Sequence, residues 1–253
     1  MPHSRPGSKT RQVGGPGIRT AEEGKAQVMV EGDSPGALEQ YRRRLGHQLE
    51  PQLRRSFELG FLGTMPMEDQ VDHALGFVVI LEDELDGAPP SVIDLGTGGG
   101  VPGLVLVCCW PDTRVVLMDA SERRTNFLHE VLEEWPVAHR AEVVRGRAEE
   151  LGRQEDLREC FSAVTSRSFG PPAATAECGS GFLEVGGLMV VSEPPDTPTG
   201  GRWPAAGLTP LGLSPVGIMR PTERFGYQLL RKTDRLDDRF PRRVGVPVKR
   251  PAF

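Results

Sequence analysis

The stretch that most constrains the fold is SVIDLGTGGGVPG, residues 91–103. Its first five residues, 91–95, alternate and include β-branched side chains in the manner of a buried strand. Four glycines between positions 96 and 100 then predict a turn with positive φ, which glycine adopts without strain. Pro102 suits the first turn of a helix, and Gly103 lets that helix pack closely on the strand. A strand, a glycine-rich turn and a helix N-terminus in this order predict a site for an anion or a nucleotide.

An acidic residue at the end of the next predicted strand supports a nucleotide-like ligand. That strand covers residues 114–118, and Asp119 follows it, where a carboxylate can accept hydrogen bonds from both ribose hydroxyls. Gly98 belongs to a G-x-G-x-x-G spacing that also fits dinucleotide folds, so an NAD-dependent oxidoreductase is an alternative. Asp94 favours a different ligand, because a carboxylate at the strand edge repels a pyrophosphate and can hold an ammonium group. S-adenosylmethionine has an ammonium group and no phosphate, so the pattern favours a class I methyltransferase over an NAD enzyme.

The remaining chain alternates strand and helix patterns, which predicts a parallel sheet. The further predicted strands are residues 141–144, 161–165 and 188–192, followed by a hairpin of 216–220 and 227–232. Ser121 is the expected N-cap of a helix over 122–135, and a helix opened by Pro171 and Pro172 is expected to close on LEVGG at 183–187. The fold class is therefore α/β and Rossmann-like, with a seven-stranded, mostly parallel sheet.

Helical periodicity before the first strand predicts a helical cap. The expected helices are 37–45, 49–59 and 67–85, with Pro51 opening the second. Residues 1–36 are rich in Gly, Pro, Ser and charge and lack the apolar segment of a signal peptide, which predicts a disordered tail. The predicted organisation is a tail at 1–36, a helical cap at 37–90, a methyltransferase core at 91–233 and a basic C-terminal tail at 234–253.

Composition and charge restrict the partners. The cysteines are not spaced like a disulfide framework, which predicts a cytoplasmic protein. The cysteines and histidines are not spaced like metal ligands either, so no metal is expected. No apolar run is long enough to span a membrane. Residues 220–253 hold ten Lys or Arg against four Asp or Glu, although the whole chain carries a net charge of −5. A basic end on an acidic body predicts contact with a phosphate backbone, and a merely solubilising segment is the alternative. A monomer is expected, since no surplus apolar stripe is visible.

Five segments, in this order and at this spacing, resemble the bacterial 16S ribosomal RNA guanine-N7 methyltransferases, also called the glucose-inhibited division protein B family. They are SVIDLGTGGGVPG, LMDASERRTNFL, RGRAEEL, TSRSF and FPRRVGVPVKRP. The resemblance covers residues 60–253. It implies that the substrate is a guanine in the 530 loop of 16S ribosomal RNA, either as naked RNA or within the assembled small subunit.

The same resemblance implies which residues bind S-adenosylmethionine. They are Gly96 and Val101 of the loop, Ala148 and Glu149 after the third strand, and Arg167 after the fourth. Gly98 and Asp119 join them from the loop and strand patterns described above. The position of Ala148 and Glu149 after a parallel strand fits a ligand site, although Glu149 also suits the start of a short helix.

Two departures from the family pattern lie beside the expected substrate site. Asp72 stands where the family usually has an arginine before a histidine, here His73. Ser192 and Glu193 stand where it usually has Lys-Gly. Fewer cations should weaken RNA binding. A non-catalytic RNA-binding relative that keeps the fold is therefore an alternative to the enzyme.

Methyl transfer to guanine N7 needs no catalytic acid or base. N7 of neutral guanine has a free lone pair, so the protein has only to hold it in line with the methyl group. No catalytic residue is therefore expected. Arg167 is the first candidate for a positioning group and His73 the second.

Overall fold

A computed structural model describes residues 35–136, 139–194 and 201–253. Its strands are β1 Ser91–Leu95, β2 Arg114–Asp119, β3 Ala141–Arg145, β4 Phe161–Ser166, β5 Leu183–Glu193, β6 Leu213–Thr222 and β7 Phe225–Lys232. Its helices are α1 Pro35–Arg44, α2 Gly46–Glu58, α3 Met67–Leu85, α4 Gly103–Cys109, α5 Glu122–Glu134, α6 Ala148–Leu151, α7 Pro172–Ser180, α8 Ala205–Leu208 and α9 Val246–Lys249. Most of the predicted 1–36 tail, residues 1–34, lies outside the described residues.

The strands form one seven-stranded sheet in the order β3-β2-β1-β4-β5-β7-β6. Strands β1 to β5 are mutually parallel, and β7 is antiparallel to both of its neighbours. The order reverses beside β1, between its neighbours β2 and β4. Open sheets of this kind bind ligands at the carboxyl ends of the strands on either side of such a reversal. The predicted α/β fold, its mostly parallel sheet and the closing hairpin are confirmed.

Apolar side chains cover both faces of the sheet, as expected for parallel strands. One cluster joins the cap and α3 to α5 to one face, and the other joins α6 to α8 and the C-terminal residues to the opposite face. In β1, Val92 belongs to the first cluster and Ile93 to the second. The carboxyl ends of the strands are left at an edge between these two layers.

Two local predictions differ from the structure, and a third, the N-cap at Ser121, holds in position but not in its side-chain hydrogen bond. Residues 183–187 belong to β5, where Leu183 pairs with Phe161, and not to the end of a helix. Pro51 lies inside α2 and does not open it. Ser121 occupies the N-cap of α5, but its side chain makes no capping hydrogen bond. For residues 183–187, pairing with β4 outweighs the local signal for a helix end.

The predicted basic tail at 234–253 is packed on the core. Leu236 and Phe240 are buried. The guanidinium of Arg158 donates to the carbonyl oxygens of both residues, at 3.0 and 2.8 Å. Arg242 binds the fully buried carboxylate of Glu177 on α7. This segment is therefore part of the folded body, although the limits predicted for the domains stay predictions.

Candidate functional site

The glycine loop after β1 is held by the end of β2. Gly96, Gly98 and Gly100 have φ values of 66°, 60° and 95°, as the sequence predicts. The backbone N–H of Gly98 donates to Oδ2 of Asp119 at 2.9 Å, and that of Ser121 donates to Oδ1 at 2.8 Å. A single carboxylate therefore fixes both the loop and the start of α5.

Asp94 does not have the role that its position suggested. It is fully buried, and its two oxygens accept hydrogen bonds from the Gly103 N–H and the Thr165 hydroxyl at 3.0 and 2.9 Å. Burial raises the pKa of this carboxyl to about 6, and the hydrogen bonds oppose the shift. Asp94 therefore ties β1 to α4 and β4, and its carboxylate has no exposed surface in this structure.

Two clefts meet at the glycine loop, and Gly96, Arg124 and Ser168 line both. The first cleft has a volume of about 280 Å³ and lies against the ends of β2 and β3. The second has a volume of about 400 Å³ and lies between the loop, α3 and residues 61–65. Together they form a continuous groove along the carboxyl edge of the sheet.

The predicted cofactor residues are distributed over these two clefts. Asp119, Ala148 and Glu149 line the first. Gly98, Val101 and Arg167 line the second, and Gly96 faces both. The Glu149 side chain also accepts a hydrogen bond from the Gly245 N–H at 2.9 Å, which connects the first cleft to the C-terminal segment.

The structure adds several residues to the site whose place in it was not predicted from the sequence. Phe169 covers the loop so closely that a Cβ on Gly96 would lie 2.8 Å from its ring. Pro247 and Val248 of α9 close one side of the first cleft. Gln70 of α3 lines the second cleft, where its Oε1 accepts from Arg167 at 3.0 Å. Long-range packing brings these side chains to the site, although TSRSF, which contains Phe169, and FPRRVGVPVKRP, which contains Pro247 and Val248, are among the segments that resemble the family.

His73 is buried in the wall of the second cleft. Its ring is stacked on Phe225, with centroids 4.6 Å apart and planes 10° apart. Burial, and then the charge of Arg167, lower the pKa of His73 to about 4. The imidazole is therefore neutral near pH 7. Burial also lowers the pKa of Arg167, but from 12.5, so the guanidinium stays charged.

The two acidic departures from the family pattern are neutralised within the fold. Asp72 accepts hydrogen bonds from Arg42 of α1. Glu193 is buried and accepts from Arg202 at 2.6 Å and from Trp203 Nε1 at 2.7 Å. Neither carboxylate lines the two clefts. They therefore place no unpaired negative charge at the site.

The described ranges contain neither a metal-binding cluster nor a membrane-spanning helix. No cluster of three or more His, Cys, Asp or Glu side chains there is arranged to hold a metal ion. No helix in the same ranges combines the length and the apolar composition needed to cross a bilayer.

Comparison with known proteins identifies the family. Residues 67–193 match the family model described as GidB, rRNA small subunit methyltransferase G. A relative of that name from Thermotoga neapolitana is 33% identical over 64% of this chain and 71% of its own. Another, from Leuconostoc mesenteroides, is 30% identical over 69% of this chain and 74% of its own.

The fold also matches a solved methyltransferase structure. A protein provisionally named an O-methyltransferase, from Klebsiella pneumoniae, has a TM-score of 0.50 at 14% identity over 78% of this chain and 97% of its own. At that identity the match supports the class I methyltransferase fold alone. The sequence matches are more specific, and they show that the chain belongs to the rRNA small subunit methyltransferase G family.

Proposed function

We propose that this protein uses S-adenosylmethionine to methylate N7 of a guanine in the 530 loop of 16S ribosomal RNA. The observation that carries the proposal is the paired cleft around the glycine loop, with Asp119 fixed to Gly98 on one side and Arg167 on the other. The names of the relatives support a ribosomal RNA substrate. The base and its position rest on the sequence resemblance. A non-catalytic relative is disfavoured, because the relatives are named as methyltransferases and the two departures lie outside both clefts.

The residues present fit the cofactor. A Cβ on Gly98 would meet only two carbonyl oxygens, at 3.8 and 4.0 Å, so this face of the loop is open for a ligand. On this proposal Asp119 would bind the ribose, Ala148 and Glu149 would hold the cofactor from the first cleft, and Gly96 and Val101 would hold it at the loop, where these residues line the clefts. When bound, S-adenosylmethionine supplies an electrophilic methyl group on a sulfonium.

The protein's own contribution is to position the base. N7 of guanine has a free lone pair, so no side chain has to remove a proton. Correct placement alone is worth about 7–11 kcal/mol of activation free energy. Arg167 is suited to this task, because Gln70 fixes its direction and its charge lies in the wall of the second cleft.

Arginines around the clefts suit an RNA backbone. Arg147 is exposed and lines the first cleft, and Arg124 lines both. Arg123 is exposed and lies over the ring of Phe61 at 5.5 Å, beside the second cleft. Cations at this edge would neutralise phosphates while a base enters.

We further propose that the protein is cytoplasmic and acts as a monomer. Cell fractionation would test the location, and sedimentation with and without ribosomal subunits would test the oligomeric state.

The cofactor is tested by calorimetric titration with S-adenosylmethionine and S-adenosylhomocysteine. Gly98→Asp should abolish binding, since it would add bulk and negative charge to the wall of the second cleft. Gly46→Asp is the matched control, because Gly46 has a φ of 63° and open space around it but lies on the helical cap. Equal loss in both variants would report backbone strain alone, whereas a folded Gly98→Asp that binds with wild-type affinity would contradict the proposed cleft.

The reaction is tested by transfer of a labelled methyl group to small subunits and to naked 16S RNA that lack the modification. Reduction with borohydride followed by aniline cleaves RNA at N7-methylguanosine, so primer extension then locates the base. A single strong stop in the 530 loop is expected. Incorporation elsewhere would refute the assigned base, and no incorporation with either substrate would refute the enzyme.

A further inference from the structure

The imidazole of His73 is buried without a hydrogen bond. The residue is 8% exposed, and both ring nitrogens lack a partner among the described residues. A neutral imidazole has one N–H donor and one acceptor nitrogen. Leaving such groups buried and unpaired costs about 1–3 kcal/mol each, so the arrangement calls for an explanation.

The neighbours that hold the ring are aromatic and do not satisfy it. Phe225 is stacked on it, and the rings of Tyr227 and Phe77 lie 5.4 and 5.9 Å away. The Tyr227 hydroxyl is already used, because it donates to the backbone carbonyl of His73 at 2.7 Å. The aromatic side therefore fixes the orientation of the imidazole and leaves its nitrogens unsatisfied.

The other side of the ring belongs to the second cleft. His73 lines this cleft together with Arg167, Gln70 and Gly98. Gln70 is fully used, since its amide nitrogen donates to the Gly63 and Met65 carbonyls at 3.2 and 3.1 Å and its oxygen accepts from Arg167. An unpaired imidazole thus lies in a cleft wall beside Gln70, whose amide is already paired, and Thr97, whose hydroxyl also lacks a partner among the described residues.

We propose that His73 binds the target guanine, donating a hydrogen bond from its imidazole N–H to O6 while N7 stays free for methylation. This inference rests on the proposed function and adds to it the group that reads the base. O6 and N7 are neighbouring acceptors on one edge of guanine. A guanidinium commonly binds both at once, which would occupy the lone pair that has to react. A single neutral donor can hold O6 and leave N7 available.

The protonation state of the ring agrees with this role. Burial and Arg167 keep the imidazole neutral near pH 7, so it presents one N–H and no additional positive charge. The nitrogens are covered in the described state. The side chains of the cleft wall must therefore rotate when the base enters, as interface side chains commonly do.

The test compares three substitutions of His73 with a control in the same aromatic cluster. His73→Phe keeps an aromatic ring against Phe225 and removes both nitrogens, whereas His73→Asn and His73→Gln restore a donor near the Nδ1 or Nε2 position. Tyr227→Phe is the control, because it removes the hydrogen bond to the His73 carbonyl without touching the cleft. For each variant we would measure kcat and KM with small-subunit RNA, affinity for S-adenosylhomocysteine, and Tm.

His73→Phe should lower kcat/KM about 10- to 100-fold, the range that one base contact is worth. Its affinity for S-adenosylhomocysteine should match that of the wild type, and its Tm should be equal or higher, because the unpaired nitrogens are gone. One of the two amide variants should recover most of the activity, and Tyr227→Phe should keep it. Unchanged kcat/KM in His73→Phe would overturn the inference, as would a loss that Tyr227→Phe shares or that follows a lower Tm.

A substrate analogue tests the contact to O6 itself. Ligated 16S RNA with 2-aminopurine at the target position lacks O6 but retains N7. The preference for guanine over 2-aminopurine, measured as the ratio of kcat/KM values, should be about tenfold or more greater in the wild type than in His73→Phe. The reason is that the analogue and the substitution remove the same hydrogen bond. Equal preferences in the two proteins would refute the contact. Wild-type protein that methylates no guanine N7 would instead refute the proposed function, and this inference with it.

Discussion

The backbone N–H of Gly98 and Oδ2 of Asp119 are joined by a 2.9 Å hydrogen bond that connects the glycine loop to the end of β2. The same carboxylate accepts from the Ser121 N–H and lies 3.6 Å from Nη1 of Arg124. Asp119 therefore organises the loop, the start of α5 and an arginine shared by both clefts. A residue expected to touch a ribose also shapes the surface on which the cofactor would rest.

Asp119→Ala should weaken binding of S-adenosylhomocysteine more than Asp119→Asn does. The alanine variant leaves the N–H groups of Gly98 and Ser121 without their acceptor, and each hydrogen bond to a charged group is worth about 1.5–3 kcal/mol. The asparagine variant keeps one acceptor oxygen. Titration calorimetry checks the order, with Asp112→Asn on an exposed turn as control. Wild-type affinity in Asp119→Ala would contradict the predicted role.

The pair formed by Glu177 and Arg242 should anchor the C-terminal segment to the core. The Glu177 side chain is fully buried, and Arg242 donates to it from its backbone N–H, Nε and Nη2. Removing one partner of a buried ion pair costs about 3–5 kcal/mol, so Glu177→Ala should lower the free energy of unfolding by about that amount. Urea denaturation measures the loss, and the exposed Glu184→Ala serves as control.

A double-mutant cycle separates the pair from its surroundings. Glu177→Ala combined with Arg242→Ala should cost less than the sum of the single changes, because neither variant alone leaves its partner satisfied. The single variants should also weaken S-adenosylhomocysteine binding, since α9 follows Arg242 and closes the first cleft. Strict additivity would show that the two residues act independently.

The sequence predicted the central part of this fold because its signals are local. The turn around Gly98 requires positive φ, and the strand before Asp119 is a continuous apolar run, so both are visible within about twenty residues. Residues 183–187 were assigned to a helix end because a glycine pair commonly stops helices, whereas pairing of Leu183 with Phe161 makes them strand.

Parts of the site were not predictable from local patterns. The positions of Phe169 over Gly96 and of Gln70 beside Arg167 depend on how distant segments pack. The burial of Asp94 shows the same limit. Its place before the glycines suggested an open ligand contact, but the N–H of Gly103 and the hydroxyl of Thr165 enclose it. A carboxylate in a sequence motif does not reveal whether it faces the ligand or the protein.

Gly103→Ala tests how closely α4 approaches the sheet. A Cβ at this position would lie 2.4 Å from Cδ2 of Leu117 and 2.9 Å from Oδ2 of Asp94. Such overpacking costs about 1–3 kcal/mol, so the free energy of unfolding should fall by that amount. Gly201→Ala is the control, because Gly201 has open space around it. Unchanged stability in Gly103→Ala would mean that α4 can move away without cost.

The stability of the protein should depend on pH through two buried groups that act in opposite directions. The pKa of Asp94 is raised from 3.8 to about 6, so the folded state binds this proton more tightly, and stability falls as pH rises through that interval. The pKa of His73 is lowered from 6.5 to about 4, so the unfolded chain binds this proton more tightly, and stability rises over nearly the same interval. Each contribution is about 3 kcal/mol, and in the wild type they largely cancel.

Asp94→Asn should therefore gain stability relative to wild type as pH rises from about 4 to 6, and His73→Phe should lose stability relative to wild type over the same interval. Urea denaturation at a series of pH values checks both slopes, with Asp112→Asn as control, and curves parallel to the wild type would show that neither group titrates as described.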